Sequence, residues 1–496
     1  MKDTSVTKRQ WFLPSVSVLV FILVFWISLL FMPQMLNGDG DLGRHLTVGR
    51  YILDNGSIPT TDIFSHTMHG RFLVPHEWLS QLGFALVYGG AGLNGIAWLT
   101  AVLIATTYAI TTITLQRVGV RALLALAGGL FTSVVGAIHT LTRPHLFTLL
   151  FFALALLILE SYRRQPKTKI LLWLLPLMLV WANTHGAFIS GVVLVGLYGA
   201  GAVLGREWRT AVTLFIALLL LILIAALNPV GPVMLQHSFA YLQNDFLVNI
   251  TNEYRSPNFH QVSAWPFAAL LLGSLGFGWL SGRRLAWTPL ILLVVWTAFA
   301  LYSARNIPLY ALVAIVVLLP EVDGWIDGVW PRLGQFLTGT DAAARPTWGW
   351  MWAVVVVMGV MWAQANGARM DIFRAGHTFS ERHFPIAAVD AIRDDLPTGN
   401  MFNEFHWGGY LLYRLWPERE VFMDAQTDFY GEALTREFIQ IADAEAGWEE
   451  RLAARDVQWV ILPPTRPLAA WLSQSGEWDE VYRDDTAVIW VRQQSD

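Results

Sequence analysis

The chain has 496 residues, 55% hydrophobic and 14% charged, with a mean hydropathy of +0.46 and a formal net charge of −4. A soluble domain carries roughly a quarter charged residues, so a soluble multi-domain enzyme and a disordered chain are both excluded, and the charge balance leaves no nucleic-acid footprint. Cysteine is absent, which excludes a disulfide scaffold, a thiolate metal site and a catalytic thiol.

Apolar runs recur over 11–32, 93–115, 122–140, 144–160, 168–183, 186–204, 210–227, 262–282, 285–303, 306–320 and 347–366. Against the roughly 20 residues needed to cross hydrocarbon, they predict an α-helical polytopic membrane protein with about eleven transmembrane helices. The first run is too long for the apolar part of a signal peptide and lacks a small-residue cleavage site, so it reads as a membrane anchor. The fourth, fifth and tenth are short, as helices are that end at a wet cavity.

Lys and Arg set the orientation. One set of alternate loops holds Lys2, Lys8, Arg9, Arg117, Arg121, Arg163, Arg164, Lys167, Lys169, Arg206, Arg209, Arg283 and Arg284, and the long segment 321–346 adds Arg332 and Arg345. The short loops opposite hold only Arg143 and Arg305. The N-terminus is therefore expected in the cytoplasm, and an odd number of crossings puts the C-terminus outside, in a multi-pass protein of the cell membrane.

Three outer segments remain. Residues 33–92 form a first loop and 228–261 a second, broken by Asn228-Pro229 and Gly231-Pro232. Residues 367–496 are long enough to fold alone, so the expected division is a membrane domain, 1–366, and an extracytoplasmic α/β domain, 367–496. In the latter, 385–394 and 407–415 read as helices, and 420–423, 457–462 and 487–491 as strands. No internal repeat suggests a transporter of duplicated halves.

The polar residues at helix ends collect on the outer face: Asp39, Asp41, His45, His76, Glu77, His139, Arg143, His145, Asn183, His185, Asn228, Glu253, Arg255 and Arg305. Ionisable groups at membrane depth are costly and face cavities or partners. A transport path would place them at helix centres, where this sequence has none. The run Asn37-Gly-Asp39-Gly-Asp41-Leu-Gly-Arg44-His45 follows the first helix. Its carboxylates suit a general base, a divalent-cation ligand or both, or a plain helix cap. Asp41, Arg44 and His45 share a helical face, so Arg44 and His45 are expected to orient Asp41.

His76-Glu77-Trp78 opens an amphipathic stretch ending at Gly89-Gly90-Ala91-Gly92. It reads as an interfacial helix with Trp78 as anchor and Glu77 as a second acid or a helix-start carboxylate. Asp54 to Asp62 read as structural. Thr142-Arg143-Pro144-His145 and Ser303-Ala-Arg305-Asn-Ile-Pro308 place two arginines at outer helix ends before prolines. Guanidinium matches phosphate oxygens, so the pair fits a shared lipid-borne phosphate, with snorkelling as the alternative. His185, in the polar hairpin Asn183-Thr-His185, suits a sugar hydroxyl, a cation or a structural hydrogen bond.

In these features the chain resembles the integral-membrane glycosyltransferases of the C fold (GT-C type), in particular bacterial relatives of the protein O-mannosyltransferases and aminoarabinose transferases. The resemblance rests on the general plan and on Asp39, Asp41, His45, Gly49 and Ile58-Pro59-Thr-Thr-Asp62-Ile-Phe64-Ser65 in the first loop. Asn403-Glu404-Phe-His-Trp407-Gly408-Gly409-Tyr410 and Val421-Phe-Met-Asp424 carry it in the tail. Where the family carries a Lys- or His-led double proline, this sequence has His76-Glu77-Trp78.

The resemblance implies transfer of a sugar from a polyprenyl-phosphate donor to an extracytoplasmic glycan, lipid or protein. Asp41, then Asp39, would be base or metal positioner, with a divalent cation such as Mg or Mn. Glu77 joins them on the catalytic side. His45, His76, Arg143, His145, His185 and Arg305 are the candidates for holding substrate. Membrane lipid is a partner and nucleic acid is not. A polymerase or ligase of lipid-linked oligosaccharide, and a non-enzymatic carrier or scaffold, are the competing readings.

Overall fold

The computed structural model describes residues 13–242, 244–341, 349–366 and 377–493. Lys2, Lys8, Arg9 and Arg345, used above for orientation, the outer margins of spans 11–32 and 347–366, and the first residues after the expected domain boundary at 366 lie outside them. Each expected span meets a helix. Trp78–Arg117, Ala122–His139, His145–Arg164, Gly186–Leu204, Trp208–Ala225, Val262–Ser281 and Ala304–Val329 are long and apolar enough to cross a membrane. Val16–Leu30, Thr168–Ala182, Trp287–Tyr302 and Met351–Ala365 are apolar but shorter. The protein is a multi-pass membrane protein with a small C-terminal α/β unit.

Local chemistry starts and stops these helices where the sequence signals it. Ser15 caps the first, its hydroxyl accepting from the Val18 amide. Pro266 and Pro308 sit in first turns. The glycine break after the interfacial stretch is real: Gly92 takes φ 58°, ψ −151° inside Trp78–Arg117, a conformation that L side chains disfavour, and kinks the helix there. Trp78 is not a free interfacial anchor, because its indole N–H donates to the Asn183 amide oxygen at 2.9 Å. Residues 321–346 were expected as a loop. Instead one helix continues through Pro320 to Val329, and another covers Pro331–Asp341. Arg121 stabilises this extension, pairing with Asp323 and, at 2.8 Å, with Asp327 and the Gly334 carbonyl.

The C-terminal unit holds a four-stranded sheet, ordered β1 (Asn400–Asn403), β2 (Val457–Leu462), β4 (Val488–Arg492), β3 (Trp478–Arg483), parallel between β1 and β2 and antiparallel elsewhere. Alternation along β2 sends Trp459 and Ile461 to one core and Val460 and Leu462 to the other. The expected strand at 420–423 is absent. Val421 makes a single bridge to Ser65, while the Asn403 side chain accepts from the Phe422 amide and donates to the Met423 carbonyl at 2.8 and 2.9 Å. The backbone groups a strand would offer a neighbour are thus already spent.

The segment expected as the first loop, 33–92, belongs to this unit's core. Val48, Ile52, Phe64 and Leu73 pack with Tyr410, Leu411, Leu415 and Ile489. The helix Asp41–Asn55 crosses the helix Gly408–Leu415 so closely that a Cβ on Gly43 would lie 2.3 Å from the Gly409 carbonyl oxygen, and one on Gly409 would lie 2.1 Å from that of Gly40. Beside the crossing, Arg44 pairs with Asp424, both buried, and its guanidinium stacks on Phe64 at 5.5 Å. Asp62 is structural, as expected, accepting from the Ser65 hydroxyl at 2.6 Å and from the Phe64 and Ser65 amides.

Candidate active site

The helix Asp41–Asn55 starts directly below this crossing, so its first turn is held between the membrane bundle and the C-terminal unit. Asp39 accepts from the Asp41 backbone amide at 2.8 Å, a local side-chain-to-backbone bond just ahead of the helix, whose N-cap is Gly40. Arg143, on the link into the helix His145–Arg164, reaches both carboxylates: Nε lies 2.6 Å from Asp39 and Nη2 lies 2.9 Å from Asp41. Its third nitrogen, Nη1, pairs with Glu253 at 2.8 Å. Asp39 is thereby engaged through both oxygens, whereas none of the described side chains hydrogen-bonds the second oxygen of Asp41.

Burial pushes Asp39 up to about 6 against the pull of Arg143. Glu253 shows the opposite balance. Burial would raise it, but Arg305, His139 and Arg143 hold it down at about 2. Glu253 is also 3.2 Å from His139 Nε2, and the His139 ring lies against His145, centroids 4.4 Å apart and tilted by 32°.

A second group adjoins the first. Arg305 donates to the Tyr254 hydroxyl, lies over its ring at 5.0 Å, and places Nη2 3.1 Å from His185 Nε2. His185 Nδ1 in turn meets the Thr148 hydroxyl at 2.8 Å and accepts from the Ala187 amide at 3.4 Å. Burial holds His185 well below its ordinary range. Glu77 sits among three histidines, 3.7 Å from His45 and 3.8 Å from both His76 and His185. Burial also lowers His45, and among the described residues its Nε2 has no hydrogen-bond partner.

Every candidate read from the sequence thus falls in one region. Arg143 joins Asp39 and Asp41 to Glu253, which also meets His139 beside His145, while His45, His76 and His185 surround Glu77 and Arg305 meets His185. Two expectations change. Arg44 does not orient Asp41, because it turns away to Asp424; Arg143 does. Arg143 and Arg305 do not converge on an open pocket, because Arg143 is filled by three carboxylates. Glu253, which stood on the outer face without a role, joins the two halves, and Tyr254 beside it was missed. An acid in an outer loop otherwise short of carboxylates was its only signal.

The divalent cation expected on Asp39 and Asp41 meets Arg143 there, with Asp39's other oxygen committed to backbone. As arranged, this pair does not fit a cation. Among the described residues, the group with metal-ligating spacing is His76, His237 and Asp428, whose ligand atoms all lie within 4.8 Å of one another. His237 and Asp428 were not singled out in the sequence.

No family model matches the sequence, and no curated protein does. Solved structures do. The oligosaccharyltransferase of Archaeoglobus fulgidus, tethered to an acceptor peptide, superposes with a TM-score of 0.58 over 96% of this chain and 74% of its own, at 11% identity. The chain has the C fold of membrane glycosyltransferases. The same archaeal protein with an inhibitory peptide and a dolichol-phosphate gives 0.56 at 11% identity, over 89% of this chain and 69% of that one. Its complex with Zn and sulfate gives 0.52 at 13% identity, over 88% and 67%. In this C-fold chain the Asp39–Asp41 turn and both arginines lie at one end of the bundle, where segments 33–92 and 228–261 meet the C-terminal unit.

Proposed function

We propose that this protein is a membrane glycosyltransferase that moves a hexosyl or pentosyl unit from a polyprenyl-phosphate donor to an acceptor on the outer side of the membrane. The observation that carries the reading is the Asp41 carboxylate, held on one oxygen by Arg143 at the membrane edge of a C fold. In the step, Asp41 takes the proton of the acceptor hydroxyl or amine as that atom bonds to the anomeric carbon. The bond from that carbon to the phosphate oxygen breaks, and the phosphate leaves with the electron pair. Arg305, backed by neutral His185, is the cation that meets the leaving phosphate. Arg143 keeps Asp39, Asp41 and Glu253 in place, and His45 and His145 line the sugar side. No step is routed through Mg or Mn, because Arg143 already compensates the Asp39–Asp41 pair.

Support for a lipid-borne donor comes from the fold: the archaeal protein that shares it has been solved with dolichol-phosphate and with acceptor peptide. That relative's being an oligosaccharyltransferase favours a second reading, in which a whole lipid-linked oligosaccharide is transferred. The test reconstitutes purified protein with polyprenyl-phosphate monosaccharides, lipid-linked oligosaccharides and a mixed acceptor pool, and follows loss of sugar from lipid. Consumption of a monosaccharide donor, weakened in Arg305→Ala, supports the first reading, and consumption of oligosaccharide alone supports the second. A parent protein that consumes neither overturns both. The Lys and Arg asymmetry supports an outer C-terminus, so a reporter that fluoresces only in the cytoplasm should stay dark when fused there; a bright signal reverses the topology.

A further inference from the structure

We propose that His76, His237 and Asp428 form a site for one transition-metal dication of the zinc class, which ties the second outer segment and the C-terminal unit to the first outer loop. The three residues come from three separate parts of the chain. His76 precedes the helix Trp78–Arg117, His237 lies in the helix Val233–Leu242, and Asp428 is in the first turn of Thr427–Ala442. The fold nevertheless brings one ligand atom of each within 4.8 Å of the others. His237 Nε2 is 3.0 Å from an Asp428 oxygen, and the His76 and His237 rings lie 5.4 Å apart at 34°.

The surroundings suit a metal better than a plain ion pair. His76 Nδ1 meets the Val74 carbonyl at 3.1 Å, which places its proton there and leaves the Nε2 lone pair free to ligate. A ligating histidine is usually fixed through its other nitrogen in this way. An ion pair would use only one imidazole. Charging both would set two like charges side by side in a partly buried place, whereas a dication binds both rings in their neutral form and keeps Asp428 as its carboxylate.

Two imidazoles and one carboxylate select zinc, cobalt or nickel over magnesium or calcium, which prefer all-oxygen sites. The side chains are 14%, 24% and 18% exposed, so a solvent molecule can reach the fourth position. Glu77 is the next residue after His76 and lies 3.8 Å from its Nε2. A metal here therefore also fixes the backbone that presents Glu77 to His45 and His185. The inference does not depend on the transferase reading.

The test uses the full chain in detergent, stripped with chelator and titrated with cobalt chloride, then with zinc sulfate. One equivalent of cobalt should bind with the visible absorption of nitrogen and oxygen ligation and be displaced by zinc, and zinc should raise the melting midpoint. His237→Ala and Asp428→Asn should each weaken binding by at least about 100-fold, the upper end of what losing a mere outer-shell partner costs, and should abolish the zinc-dependent melting shift. His69→Ala, at an exposed histidine paired with Glu420, should bind as the parent does. If either ligand variant does not fold, X-ray absorption of the zinc-loaded parent decides, since two imidazoles must appear in the first shell. A parent that binds no stoichiometric cobalt or zinc, folded ligand variants that bind like the parent, or a zinc shell without two imidazoles would each overturn the site.

Discussion

Replacing Asp41 by Asn removes the proposed base and leaves most of its setting intact. Arg143 retains Asp39 at 2.6 Å and Glu253 at 2.8 Å, so the guanidinium is not stranded. The Asp39 bond from the Asp41 amide does not involve the Asp41 side chain. The carboxylate's contribution at the start of its helix is at most about 2 kcal/mol in a partly buried place, so folding and donor binding should survive. Loss of a general base typically lowers a rate by about 10²–10⁴-fold, a barrier increase of about 3–5 kcal/mol at 1.36 kcal/mol per decade. The assay follows sugar release from polyprenyl phosphate with purified parent and variant. The expected result is a collapse in kcat with little change in KM for the donor. Asp39→Asn should cost less, because an amide oxygen can still accept from the Asp41 backbone amide. If Asp41→Asn turns over as fast as the parent while Asp39→Asn or Glu77→Gln is inactive, the proton goes to a different acid and the reasoning fails.

Gly409→Ala should cost about 3 kcal/mol or more of stability, the upper range for overpacking, since its Cβ would meet a backbone carbonyl at 2.1 Å; a melting midpoint equal to the parent's would show that the two helices separate freely. Asp424→Asn should cost about 3–5 kcal/mol by stranding buried Arg44, seen as a lower melting midpoint in detergent, and a variant as stable as the parent would mean that Arg44 finds another partner. Asp39 protonates near 6 in the folded chain against an ordinary 3.8, so its contribution to stability is present at about pH 4 and is lost as pH rises through 6. Between pH 7 and 5 the parent should therefore gain stability relative to Asp39→Asn, by on the order of 1.3 kcal/mol, since about one pH unit of that interval lies below 6 and each unit is worth 1.36 kcal/mol; parallel melting curves for the two would refute it. Glu253, held at about 2, has the reverse sign: its stabilisation is present above about 4.5 and fades as pH falls towards 2, so Glu253→Gln should flatten the acid limb of the melting profile.

The sequence by itself determined the parts that follow from local rules. Each apolar run became a helix because backbone groups in lipid must be satisfied within their own segment, and the kink came at Gly92 because only glycine takes that conformation cheaply. The polar residues at outer helix ends pointed to the region of the site for a similar reason, since lipid tolerates few ionisable groups. Tertiary structure alone decided who meets whom. Helical spacing put Arg44 on the same face as Asp41, but it says nothing of what packs opposite, and opposite lies Asp424, 380 residues on. Edge strand β3 carries Asp479, Glu480 and Arg483 and shows no apolar alternation to read, while the 421–423 run had the right pattern but lost its backbone groups to Phe64, His66 and the Asn403 side chain. His237 and Asp428, 191 residues apart, have no local signature at all. Secondary structure is fixed by neighbours within a few residues, whereas a site of converging charges depends on loop closures that pattern and spacing do not encode.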